Sequence, residues 1–115
     1  MVQMAGLVVE SELGAITISR DVVADIVSET AQRCYGVVGL SPASRVRRIL
    51  RRDGITVAGD ASGIAIELHV VVEHGLNLAE VAATIRSQVS YEVGRLVGLP
   101  VASVEVVVAA VREGA

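Results

Sequence analysis

From Ile64 to Glu73, apolar residues recur at every second position. Ile64, Ile66, Leu68, Val70 and Val72 fall on one side of an extended chain, and Ala65, Glu67, His69, Val71 and Glu73 on the other. The alternation predicts a strand whose first face is wholly aliphatic and must be covered. Elsewhere the period lengthens to about 3.6 residues, the spacing of a helix with one buried stripe. Val22, Val23, Ile26, Val27, Thr30, Ala31 and Cys34 form one such stripe. Leu78, Val81, Ala82, Ile85, Val89, Val93, Leu96 and Val97 form a longer one.

Start and stop signals frame these segments. Ser19 is a good N-cap, and Asp21 suits the positive end of the first helix, which stops near Gly36. Asn77, with Glu80 three residues later, resembles a capping box for the second helix. "GLP" at 98–100 ends that helix in the Gly-then-Pro manner. Shorter apolar runs read as further strands: "GAITIS" at 14–19, "GVVGL" at 36–40, "ITVA" at 55–58, and 101–111, where Val104, Val106 and Val108 share a side. Ser41-Pro42 opens a short helix over 42–52, and 59–63 reads as a hairpin loop.

The resulting order, β-α-β-β-β-α-β plus a short basic helix, predicts an α+β fold. A single mixed β-sheet should carry both long amphipathic helices on one face. The strands at 55–58 and 64–73 should run antiparallel. Residues 1–13 read as a flexible N-terminal arm with a short extended piece at 7–10, residues 14–111 as one α+β domain, and 112–115 as a tail. The other face of the sheet would show Ala65, Glu67, His69, Val71, Val107 and Ala109, mixed enough for solvent and apolar enough to dimerise.

Composition sharpens this picture. Of 115 residues, 52% are hydrophobic, 23 are Val, and Phe and Trp are absent. Such a chain buries β-branched aliphatics, which suit pleated sheets. It also carries more apolar surface than a small monomer easily hides, which predicts a homo-oligomer. No apolar run is long enough to span a bilayer, and "MVQMAGLVV" lacks the charged start of a signal peptide. The one cysteine, Cys34, cannot form an internal disulfide, fits a reducing cytoplasm, and reads as a small buried hydrophobe.

No catalytic constellation stands out, and no cofactor motif does either. His69 and His74, five residues apart, would face opposite sides of a continued strand, which is poor geometry for a shared metal. There is no cysteine pair, glycine-rich phosphate loop or nucleophile elbow. Glu67 and Glu105 sit within strands, where solvation is the ordinary reading.

Charge is distributed unevenly. All ten basic residues are Arg, and five of them, Arg45, Arg47, Arg48, Arg51 and Arg52, crowd into "RVRRILRRDG". The net charge is −3; setting those five aside leaves five Arg against 13 acids, or −8. On a helix, Val46, Ile49 and Leu50 would occupy one arc and the arginines the other. A packed apolar edge with solvated arginines accounts for that pattern, and so does a docking surface for an acidic partner. At ~1 kcal/mol per basic residue near anionic lipid, five arginines amount to at most ~5 kcal/mol, a weak peripheral membrane contact and not an anchor. The acidic body opposes a polyanion, and neither Tyr35 nor Tyr91 lies in the basic run, which argues against nucleic acid.

Three blocks, "GAITISRDVVADIVSETAQRCYGVVGL", "IAIELHVVVEHGLNLAEVAATIRSQVSYEVGRLVGLP" and "VASVEVVVAAV", together resemble the alkaline-shock/general-stress family of bacterial envelope stress-response proteins. The resemblance implies a small, cytoplasmic, non-enzymatic protein of cell-envelope homeostasis. It also implies recruitment to the inner face of the membrane by a membrane-embedded protein partner. It carries over no catalytic residues: the shared positions Gly14, Ser19, Gly36, Gly75 and Gly98 are structural. The arginine run falls in the family's variable connection. The reading is therefore a self-associating scaffold or adaptor, with Arg45, Arg47, Arg48, Arg51 and Arg52 as a candidate partner surface. Ala65, His69, Val71 and Val107 make a candidate self-association face. Two other classes remain open, an RNA- or nucleoid-binding module using the arginine helix and a metabolic regulatory domain.

Overall fold

The computed structural model describes residues 6–41, 54–60 and 63–113. Its elements follow the order β1 (Gly6–Ser11), β2 (Gly14–Ser19), α1 (Arg20–Gln32), β3 (Val37–Leu40), β4 (Ile55–Asp60), β5 (Gly63–Glu73), α2 (Leu78–Val97) and β6 (Val101–Arg112). The fold is α+β, with β5 at the centre of a mixed four-stranded sheet. The predicted basic helix and its five arginines fall outside the described residues.

On β5, Ile64, Ile66, Leu68, Val70 and Val72 are all buried, as the alternation requires. They meet Val23, Ala24, Val27 and Ala31 of α1 and Val81, Ile85, Val89, Val93 and Val97 of α2 in one core. Both helices therefore cover the same sheet face, α1 over β3 and β4 and α2 over β6. Side chains at the helix starts satisfy otherwise orphaned amides. Ser19 Oγ accepts from the Asp21 N–H at 3.0 Å, and Asn77 Oδ1 from the Glu80 N–H at 3.1 Å. At the other end of α2, Gly98 takes the left-handed conformation (φ 83°) and its N–H donates to the Gly94 carbonyl.

Strand pairing departs from expectation in three places. First, the extended piece at 7–10 belongs to β1, a full strand paired antiparallel with β2. The segment assigned to an arm thus forms half of a two-stranded hairpin separate from the main sheet. Leu7 and Ile18 sit opposite each other and pack on the core, which gives the pairing its apolar driving force. Second, β6 runs parallel to β5, but with extra residues, Ala102 between the partners of Ile64 and Ala65 and Ala109 between those of Val70 and Val71. The bulge at Ala109 reverses the facing of the strand's end, so Ala110 takes the place beside Val71 expected of Ala109. Third, β4 reaches Asp60 and β5 starts at Gly63, which shortens the 59–63 loop.

β3 and β4 lie end to end along the same edge of β5. Val37, Gly39 and Leu40 pair with the stretch from Val72 to Val70, and Ile55 to Asp60 with Leu68 to Gly63. Between them, the Ser41 N–H donates to the His69 carbonyl at 2.9 Å, and the His69 N–H donates to the Gly54 carbonyl at 2.9 Å. One edge strand is thus interrupted at a single point, between Ser41 and Gly54.

Candidate functional site

The sheet face turned away from the helices carries Ala65, Glu67, His69, Val71 and Glu73 from β5. Because β6 runs parallel in register, it sets Ser103 beside Ala65, Glu105 beside Glu67 and Val107 beside His69. Three of the four residues of the candidate self-association face, His69, Val71 and Val107, are thereby neighbours, with Ala65 further down β5. They differ in access. Ala65 and Val107 are half-buried, while Val71 is only 2% exposed. Solvent therefore reaches less apolar surface there than alternation alone suggests.

Polar chemistry on this face centres on His69. Its Nε2 lies 2.7 Å from Glu67 Oε2. An ionised carboxylate only accepts, so Nε2 carries the proton in this contact. Glu105 stands beside Glu67 on the neighbouring strand, a like-charge placement that favours a cation or a donor between them. Even so, no group of three or more His, Cys, Asp or Glu among the described residues is arranged to hold a metal. His74 is exposed, past the end of β5, and shares no site with His69.

Two grooves flank α2. One, about 260 Å³, runs between α1 and α2 and is lined by Thr30, Cys34, Tyr35 and Gln88 among others. Cys34 Sγ donates to the Thr30 carbonyl at 3.5 Å. Burial pushes the thiol's pKa up, against a smaller downward pull from Arg33, so the thiolate is disfavoured. Cys34 is half-buried at the groove, less enclosed than the small buried hydrophobe expected from its isolation in the sequence.

The other groove is larger, about 570 Å³, and lies on the opposite side of α2. Arg86, Ser87, Ser90 and Tyr91 form its helical wall and residues 101–104 of β6 its floor. Sequence reasoning missed it, because its wall is the polar flank of α2 and its floor lies beyond the turn at 98–100. The only sequence signal is two serines, Ser87 and Ser90, clustered with Arg86 beside the α2 stripe. No described helix is long and apolar enough to cross a membrane.

Together these features define a small α+β domain built around one central strand, with a polar sheet face and a groove between its last helix and last strand. The chain belongs to the alkaline-shock protein 23 family, described as having a cell envelope-related function, whose model matches residues 8–113. Among its relatives is YloU of Bacillus subtilis, 32% identical over 110 residues that take in 89% of this chain and 92% of that protein. Another is Spy1614 of Streptococcus pyogenes, 29% identical over 103 residues, 83% of this chain and 85% of that protein. Among solved structures, a MamM CTD variant superposes with a TM-score of 0.52 at 20% identity, over 79% of this chain and 94% of that one. A manganese form of another MamM CTD variant does so with a TM-score of 0.51 at 18% identity, over 79% of this chain and 98% of that one. At such identities the likeness concerns the fold alone.

Proposed function

We propose that this chain is a non-catalytic adaptor of the cell envelope. In this reading it is cytoplasmic, assembles with copies of itself, and is recruited to the inner membrane face by a membrane-embedded protein partner. The supporting observation is its membership, over residues 8–113, of a family with a cell envelope-related function. Apolar side chains on the surface favour assembly: Leu13 and Ile16 of the hairpin are 99% and 62% exposed. The face containing Ala65, His69, Val71 and Val107 is the second candidate contact. The five arginines would serve a docking role for an acidic partner. The net charge of −8 on the rest of the chain disfavours a polyanion, which sets the nucleic-acid reading behind this one.

Sedimentation velocity across a concentration series, with membrane fractionation of cells expressing the chain, tests both halves. The expected result is a mass that rises above the monomer, and a membrane-associated pool released by high salt or mild detergent. A strict monomer at the highest concentration, absent from the membrane fraction, would overturn the assembly and recruitment parts together.

A further inference from the structure

The groove between α2 and β6 opens onto the free edge of the sheet. β6 pairs with β5 along one side, and no described strand pairs with its other side. α1 lies over the opposite edge, on β3 and β4, so the helix beside the free edge is α2. Backbone groups on such an edge form a template for another extended chain. Proline and charge give this edge little protection. From Val101 to Val111 there is no proline and a single charge, Glu105. Two bulges interrupt its register, at Ala102 on the groove floor and at Ala109 toward the far end, and they leave 103–108 as the regular stretch of the edge.

The wall of the groove states what kind of chain would fit. Arg86 is exposed and forms no ion pair with a described residue, whereas Arg33 and Arg95 each have an acid beside them on their own helix. A free guanidinium at the rim of an acidic protein is a point of recognition for a carboxylate. The other wall and floor side chains are the hydroxyls of Ser87, Ser90 and Ser103, the ring of Tyr91, and Val101, Ala102 and Val104. Small neutral groups suit alternate side chains of an added strand, and Tyr91, 64% exposed, gives one of them an aromatic face.

We propose that the α2–β6 groove is a strand-addition site. An extended segment of a partner protein pairs its backbone with the free edge of β6 and sets an acidic side chain on Arg86. The inference rests on the adaptor reading and names where the partner is held.

The test uses the full chain and a display library of short random peptides. Selection should converge on sequences with one Asp or Glu among small or apolar residues. The synthetic consensus peptide, titrated into isotope-labelled protein, should shift amide signals of residues 101–108 and 86–91 and slow hydrogen exchange along β6. Arg86→Glu, at an exposed helical position, should keep the circular dichroism of the parent and weaken binding by about tenfold or more. A peptide with its acid changed to Lys should recover binding to that variant. N-methylation of alternate peptide amides should abolish binding to the parent chain. Three results would overturn the proposal: no enriched sequence; an enriched peptide that binds Arg86→Glu equally well or shifts signals elsewhere; or β6 edge amides already protected in a dimer of the chain. In each of those cases, a chain that still fractionates with membranes leaves the adaptor reading standing and removes this groove from it.

Discussion

The thiol of Cys34 lies beyond the last turn of α1, in the groove between the helices, with its proton directed at the Thr30 carbonyl. Burial raises its pKa from the ordinary value of 9.0. Below that value folded and unfolded chains both keep the proton. Above it the unfolded chain ionises first, so stability present below the ordinary value is lost as pH climbs towards the raised one. Denaturant midpoints measured on either side of this range should fall with rising pH, and Cys34→Ala should flatten that part of the decline. Iodoacetamide should label the native thiol slowly at neutral pH for the same reason. The first helix also shows where a single stripe misleads. Val22 is 49% exposed and Ala24 is 3% exposed, the reverse of what size suggests. The apolar residues of α1 span a wide arc, and only the position of α2 and β4 decides which side of that arc is covered.

Elements with strong periodicity were the most legible. β5 follows its alternation closely and α2 its stripe except at its ends, where Leu78 and Leu96 are exposed, and the caps at Ser19, Asn77 and Gly98 stand where their side chains, or the lack of one, allow. The hairpin of β1 and β2 was not, because its turn, Glu12-Leu13, lacks the Asn-Gly or Asp-Gly pair that usually announces one. The bulges at Val38, Ala102 and Ala109 were invisible too, since each shifts a register that only the partner strand defines. Gly54, just before β4, bears more than a turn. It adopts φ +87°, and a Cβ there would run into the Ser41 carbonyl where β3 and β4 meet. Gly54→Ala should therefore destabilise the fold by about 1–3 kcal/mol in a urea titration, the range for backbone strain at one residue. Gly39→Ala makes a suitable control, because nothing lies within 4 Å of its added Cβ and its φ is ordinary.

At the scale of the whole molecule, the α+β class and the shared side of both helices follow from the sequence, because burial of β5 demands them. The α2–β6 groove and the Glu67–His69 contact do not, because each depends on how separate elements come together. The surface is uneven in hydrophobicity. Leu13 at the hairpin turn contributes almost nothing to the core, being 99% exposed. Leu13→Ser combined with Ile16→Thr should alter stability by no more than about 0.5 kcal/mol. The same pair should reduce retention on a hydrophobic-interaction column and, if the hairpin carries assembly, lower the sedimenting mass. The interrupted edge strand has a different consequence. Ser41 and Gly54 are both fixed to the backbone of one residue, His69, so the sheet senses where the intervening chain begins and ends but not its length. Closing a longer excursion between those anchors costs only about 0.6 kcal/mol per doubling. The fold therefore contains a splice point between Ser41 and Gly54, and a longer peptide grafted there should leave thermal unfolding nearly unchanged.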